Sequence, residues 1–316
     1  MSFERALELA ERGRGTTQPN PVVGAVVVRD GEIVGEGWHE RPGESHAEIA
    51  ALARAAAAAR GATLYVSLEP CAHQGRTPPC ADAVVAAGIA RVVAAVGDPD
   101  PRTSGSGFER LQEAGIEVEL PGGELEWRAR VQNEGFRTAA GLGRPFVTYK
   151  AAVTLDGRVT VPGERWVTGE ESRRRVHELR ARSDAVAVGM GTVRADNPRL
   201  TAREVVVERQ PRRLAFGRGP LPEGSELELV RGPLEAELAR LAAEGVQTLL
   251  LEGGPTLATS FLAAGLVDKL MLFVAPRLSG HGPRLLGEFP LPLTAVRLES
   301  EPVGQDVLVT AYLREP

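Results

Sequence analysis

The stretch from His46 to Cys80 limits what this chain can fold into more than any other. It opens with His46-Ala47-Glu48, passes through Glu69-Pro70-Cys71 and closes with Gly75-Arg76-Thr77-Pro78-Pro79-Cys80. His46 to Arg60 is alanine-rich and reads as a helix stopped by Gly61. Thr63 to Leu68 reads as a short apolar strand that delivers Glu69-Pro70-Cys71 at its end. Three prolines and a glycine stiffen the loop to Cys80, which then opens a helix over 81–87. Helical residues two apart do not share a face, so His46 and Glu48 can address one point only from the helix's first turn. A helix start at Cys80 predicts a lowered thiol pKa.

One histidine and two cysteines can hold zinc and leave its fourth position to water, the arrangement that yields hydroxide near neutral pH. Glu48 is placed to shuttle the proton. H-x-E followed by P-C and a second cysteine is the signature of zinc nucleobase deaminases. Here eight residues separate the cysteines, so the match is to the class and not to its commonest spacing. Inert packing competes as a reading of the cysteines alone. For the whole group the rival is a closed structural zinc, with His73 or His39 as fourth ligand. Glu48 favours the open site, because a structural zinc has no use for a proton carrier.

At 316 residues the chain can build two full cores. No apolar run is long enough to span a bilayer, and the start reads as an amphipathic helix with Phe3, Ala6, Leu7 and Ala10 on one face. A cytoplasmic setting is the expectation. The only two cysteines both fall in the suspected metal site, so no disulfide framework is implied. A net charge of −5 disfavours nucleic acid as a partner, while scattered arginines suit one small phosphorylated molecule. Lysine stands only at 150 and 269, and asparagine only at 20, 133 and 197, so these residues are conspicuous.

Ahead of the histidine, Val22–Arg29 and Glu32–Gly37 read as strands joined by an Asp30-Gly31 hairpin turn. Asn20, between Pro19 and Pro21, reads either as a turn residue or as part of a site. Strands over 91–96 and 116–120 and a helix over 108–114 complete the order α-β-β-α-β-α-β-α-β, a sheet between helices. Asp98-Pro99-Asp100-Pro101 follows a strand end, where such sheets bind ligands. One helix over 124–137 and a linker over 141–145 close this half.

In the second half, strands are expected over 146–153, 185–189, 248–251 and 269–274. Helices are expected over 170–182 and 257–264, a polar loop over 191–198, and two antiparallel edge strands over 295–298 and 306–313. The arginines of the 170–182 helix read as a solvated face. Glu252-Gly253-Gly254-Pro255-Thr256 leads onto a helix start that offers N–H groups to phosphate, a weak signal by itself.

Taken together, these residues resemble the bifunctional riboflavin-biosynthesis deaminase–reductase family over essentially the full length. Pro19-Asn20-Pro21, His46-Ala47-Glu48, Glu69-Pro70-Cys71 and the loop to Cys80 carry the first half. Leu155-Asp156-Gly157-Arg158, Trp166-Val167-Thr168, Ala195-Asp196-Asn197-Pro198 and the Glu252 to Thr256 turn carry the second. The resemblance implies an α/β protein: a cytidine-deaminase-like three-layer αβα domain over 1–143, then a dihydrofolate-reductase-like α/β domain over 144–316. The first would deaminate 2,5-diamino-6-(5-phosphoribosylamino)pyrimidin-4-one. The second would reduce the product's ribosyl chain to ribityl with NADPH, giving 5-amino-6-(5-phosphoribitylamino)uracil.

Carried over residue by residue, His46, Cys71 and Cys80 are zinc ligands and Glu48 the proton shuttle. Asn20 lines the deaminase pocket. Lys150, Arg180, Leu200, Arg203 and Glu252 contact the reductase substrate. Ala152, Trp166, Thr192, Asp196 and the turn Gly254, Pro255, Thr256, Leu257, Ala258, Thr259 and Ser260 contact NADPH, with Asp196 and Lys150 at the chemistry. A homo-oligomer without nucleic-acid or membrane partners is the implied assembly. Two departures stand out: Gly163-Glu164-Arg165-Trp166 lacks the family's substrate-binding serine, and 204–235 is abbreviated.

Overall fold

A computed structural model describes residues 2–73, 78–100, 103–207, 209–290 and 292–316. Gly75, Arg76 and Thr77 of the cysteine loop and Pro101 of the Asp98 segment lie outside the described residues. The chain divides into two compact units, Met1–Leu142 with Pro316 and Gly143–Glu315. Among the described residues no helix is long and apolar enough to cross a membrane.

The first unit begins with α1 (Ser2–Glu11), which buries Phe3, Ala6, Leu7 and Ala10. β1 (Gly24–Arg29) and β2 (Glu32–Trp38) pair antiparallel across Asp30 and Gly31. Their φ values of 54° and 85° give the turn that matches the natural strand twist. Then come α2 (Ala47–Ala55), β3 (Thr63–Val66), α3 (Cys80–Ala87), β4 (Arg91–Ala94), α4 (Ser106–Glu113), β5 (Glu117–Glu119), α5 (Gly123–Gln132) and α6 (Glu134–Leu142). The sheet runs β2-β1-β3-β4-β5, with β3, β4 and β5 parallel. Alternation sends Val27, Leu64, Val66 and Val92 to one face, where they pack with residues of α2, α3 and α4. Val26, Val93 and Ala95 go to the other, with α1 and α5. The result is a three-layer αβα unit.

The single helix expected over 124–137 is broken. Asn133 turns out of it and is buried, accepting from the Val22 N–H and donating to the Val22 carbonyl, each at 2.9 Å. The expected linker is also shorter, because α6 continues to Leu142 and the backbone turns at Gly143 with φ 65°. Arg144 is already fixed: its guanidinium forks onto the buried Asp268 at 2.7 Å from each nitrogen.

In the second unit the elements are β6 (Phe146–Thr154), α7 (Glu170–Arg182), β7 (Ala185–Gly189), α8 (Met190–Asp196), β8 (Arg212–Phe216) and β9 (Glu228–Val230). They continue with α9 (Leu234–Ala243), β10 (Thr248–Leu251), α10 (Pro255–Ala263), β11 (Lys269–Ala275), β12 (Arg297–Val303) and β13 (Asp306–Tyr312). One eight-stranded sheet runs β12-β13-β11-β6-β10-β7-β8-β9. Val147, Tyr149, Ala151 and Val153 of β6 point into a core with α9 and α10, so Lys150 and Ala152 take the opposite face.

Two expected elements differ in the structure, and one stretch without an expectation proves ordered. Residues 191–196 are helical, because Met190 and Val193 anchor α8 in a core that polar neighbours disguise in the sequence. β8, β9 and α9 lie in or beside the stretch that sequence reasoning left unassigned. Finally, only β12 is an edge strand of the pair, since β13 lies between β11 and β12.

Small residues let α2 lie directly on β2. A Cβ on Gly37 would overlap the Ala47 carbonyl, and one on Gly35 would overlap that of Ala51. Gly37→Ala must therefore displace the helix start that carries His46 and Glu48. The expected outcome is a loss of about 1–3 kcal/mol in the first unit's denaturant unfolding. A weaker zinc affinity in competition with a chelator should accompany it.

Candidate active sites

His46 occupies the N-cap of α2 in extended conformation (φ −69°, ψ 161°), so its ring leaves the helix axis and meets the two cysteines. Its Nδ1 lies 3.1 Å from Cys80 Sγ and 3.7 Å from Cys71 Sγ. Cys71 follows β3, and Cys80 is the first residue of α3, its backbone N–H donating to Cys71 Sγ at 3.4 Å. Neither cysteine is in a disulfide. The three ligand atoms lie within 4.8 Å of one another. Tetrahedral zinc with bonds of about 2.0–2.3 Å sets such atoms roughly 3.5–3.8 Å apart, so the donor set fits the ion.

Electrostatics agree with that fit. The Cys71 thiol is held down to about 4, chiefly by a hydrogen bond from Cys80, with His46 contributing. Cys80 moves up, against the expectation from its helix start: the bond it shares with Cys71 and then burial keep its proton on. Two thiols this close share one negative charge, and a divalent cation held by both would favour loss of the second proton. Glu48 is 3% exposed in the first turn of α2. Burial, then the Cys71 charge, pushes its carboxyl up to about 7.

Both alternatives for a fourth protein ligand are otherwise engaged. His39 Nδ1 lies 3.2 Å from the Ser45 carbonyl, to which it donates. Its Nε2 is then the acceptor for Asn20 Nδ2 at 3.0 Å. Burial lowers the His39 pKa, in keeping with a neutral ring. His73 instead meets Thr103 Oγ1 at 2.9 Å. A cavity of about 390 Å³ opens beside the donors, lined also by Asn20, His39, Glu48, Asp98 and Asp100. Burial raises the Asp98 carboxyl to about 6. Sequence reasoning named His39 only as a rival zinc ligand and missed Thr103 altogether.

A second cluster forms at the C-terminal end of β10. Leu251 pairs with Tyr149, which sets Glu252 beside Lys150 with Nζ 3.9 Å from Oε2. From α7, Arg180 forks onto Glu252 at 2.6 and 2.9 Å and donates to the Thr201 carbonyl at 3.1 Å. Burial pulls the Lys150 ammonium down, while Glu252 opposes the shift. Burial works against the Glu252 charge, yet Arg180 and Lys150 outweigh it and leave its pKa lowered. Leu200 is buried with φ 54°, a strained conformation for a branched residue. Arg203 is exposed and its N–H donates to His177 Nδ1 at 3.3 Å. Lys150, Arg180 and Glu252 come together, and Arg203 meets His177, a residue the sequence did not signal; Leu200 instead packs in the core with Met190 and Val193.

The NADPH residues taken from the resemblance are more scattered. Thr192, in the first turn of α8, faces Gly254, and Asp196 ends the same helix exposed to solvent. Gly254 caps α10 without a side-chain bond and Pro255 follows, so the first-turn amides around Thr256 and Leu257 are presented outward. Further along, Ala258 is buried in the core, Thr259 Oγ1 accepts from Gly287 N at 2.8 Å, and Ser260 bonds the Thr256 carbonyl. Ala152 is half-buried on the Lys150 face of β6. Trp166, 51% exposed, lines a separate cavity of about 790 Å³ with Thr168, Arg173 and Arg277. Two residues before Trp166, Glu164 pairs with Arg277 at 2.5 Å.

Comparison with known proteins agrees with both units. The family of the cytidine and deoxycytidylate deaminase zinc-binding region matches residues 2–96, and that of the RibD C-terminal domain matches 145–309. The riboflavin biosynthesis protein RibD of Aquifex aeolicus is 44% identical over 88% of this chain and 86% of its own. That of Escherichia coli is 41% identical over 90% of each. Among solved structures, Acinetobacter baumannii RibD superposes with a TM-score of 0.82 at 36% identity, covering 98% of this chain and 97% of its own. The Thermotoga maritima deaminase/reductase, described as acting in diaminohydroxyphosphoribosylaminopyrimidine deamination and 5-amino-6-(5-phosphoribosylamino)uracil reduction, gives 0.82 at 35% over the same shares. The chain belongs to the RibD family, the bifunctional deaminase–reductases of riboflavin biosynthesis, joining a zinc-binding deaminase domain to a reductase domain that uses NADPH.

Proposed function

We propose that the first unit hydrolytically deaminates the diaminopyrimidinone ribotide and that the second reduces the ribosyl chain of the product to ribityl. The carrying observation is the convergence of His46, Cys71 and Cys80 beside a buried Glu48 at the wall of a cavity. When bound, zinc supplies the Lewis acidity that makes water a nucleophile near neutral pH. Glu48 takes the proton of the attacking water on its carboxylate and hands it to the leaving amino nitrogen. A carboxyl pushed up to about 7 suits both halves of that task, since it accepts and releases a proton near neutrality. His39 fixes the orientation of the Asn20 amide, so Asn20 meets the ring with its side chain already ordered.

In the second unit NADPH supplies hydride to C1 of the opened aldehyde form of the ribose. Lys150, buried beside Glu252, donates to the developing oxyanion. Arg203 stands in the open turn and is available to the phosphate. Arg180 is already committed to Glu252 and Thr201, so it orders the substrate corner and does not act as a free anion hook. Thr192, Gly254 and the first turn of α10 form the side assigned to the cofactor phosphates, with Asp196 at the end of the Thr192 helix. The ligand set, the roles of these residues and the division of labour at residue 143 belong to this reading. So do a small phosphorylated pyrimidine as partner, a homo-oligomer and a cytoplasmic setting; two free thiols suit the last.

The two half-reactions separate by mutation. Glu48→Gln should cut ammonia release by about 10²–10⁴-fold, with zinc retained and with reduction of pre-deaminated substrate unchanged. Stripping zinc with a chelator should abolish ammonia release and spare that reduction. Lys150→Met should do the reverse, lowering NADPH oxidation by about 10²-fold or more while ammonia release continues. Loss of both activities in the Glu48 variant, measured side by side, would count against the assignment.

A further inference from the structure

Glu69 lies three residues beyond β3, two residues before Cys71, and is 3% exposed. Its carboxylate gathers four backbone amides. Oε2 accepts from Asp98 N and Gly105 N, each at 3.1 Å, and Oε1 accepts from Gly107 N at 2.9 Å and Phe108 N at 3.4 Å. The backbone thus leaves Oε2 at Asp98 and returns to the same oxygen at Gly105. Thr103 N and Ser104 N both donate to the Asp100 carbonyl at 2.8 Å. Asp98, Asp100 and Thr103 line the same cavity as Glu48. A Cβ on Gly107 would overlap the Pro70 carbonyl, so the segment is seated directly against the backbone that leads to Cys71.

We propose that Glu69 is a positioning residue of the deaminase, a clasp that ties Asp98 to Gly105 and Gly107 and holds the cavity-lining Asp98, Asp100 and Thr103 in register with Cys71. Glu69 does not line the cavity with them; it acts through the backbone. The proposal rests on the deaminase reading above. A carboxylate suits the task because both oxygens accept, each from two N–H groups. A glutamine turns one end into a donor that faces donors, and an aspartate keeps the chemistry while shortening the reach.

The test uses the full-length, zinc-loaded chain as wild type, Glu69→Gln and Glu69→Asp. Ammonia release from the diaminopyrimidinone ribotide, zinc content and amide hydrogen exchange around Gly105 and Gly107 without substrate are measured. Glu69→Gln should raise KM by about 10- to 100-fold, the scale of lost charge-assisted hydrogen bonds, with kcat within about threefold and zinc unchanged. Exchange at Gly105 and Gly107 should quicken, and Glu69→Asp should show a smaller rise in KM. Wild-type KM and exchange in both variants would overturn the proposal. So would loss of zinc and kcat together in both, which would make Glu69 a support for Cys71 alone. A wild type that releases no ammonia would defeat the deaminase reading instead; exchange would then decide the clasp, supporting it if faster in Glu69→Gln and overturning it if unchanged.

Discussion

A carboxylate drawn out of water must be satisfied or protonated, and four such groups organise the two sites and the start of the second unit. Asp268, fully buried, takes Arg144 in a fork and the Val147 amide at 2.8 Å. Glu252 takes Arg180 in a fork, with Lys150 nearby. Glu69 takes four amides. Glu48 has no such set, and its pKa moves up to about 7 instead. The first three fix structure because their charge is paid for; the fourth stays ready to gain or lose a proton. The same cost of burial therefore yields a joint, an ordered substrate corner, a clasp and an acid–base group.

Both sites use the ends of strands, as open α/β sheets generally do. In the first unit β3 delivers Glu69 and Cys71, while β4 is followed by Asp98 and Asp100. In the second, β6 carries Lys150 on the face opposite its core residues, and β10 ends just before Glu252. Close packing supplies the precision: Gly35 and Gly37 admit α2 to the sheet, and Gly107 admits α4 to the Pro70 carbonyl.

Much of this was legible in the sequence, and the exceptions have physical causes. The hairpin, the helix at 170–182 and the strands at 185–189 and 248–251 follow from periodicity and turn chemistry, which are local. The His-x-Glu pair on a helix's first turn with cysteines at a strand end and a helix start is equally local, so the zinc cluster could be placed. The break at Asn133 depends on a bond to Val22, 111 residues away, and only the scarcity of asparagine hinted at it. The electrostatics of Cys80 depend on a neighbouring thiol, which the helix-start argument left out. Glu69 and His177 were passed over because backbone amides distant in sequence define their environments.

Two activities in one chain can be tested in a single assay. Purified zinc-loaded protein is given the diaminopyrimidinone ribotide with and without NADPH, and ammonia and the pyrimidine product are followed, the latter by mass spectrometry. Ammonia in both samples, with the ribityl compound only where NADPH is present, is the predicted result. No ammonia from zinc-loaded protein would contradict it.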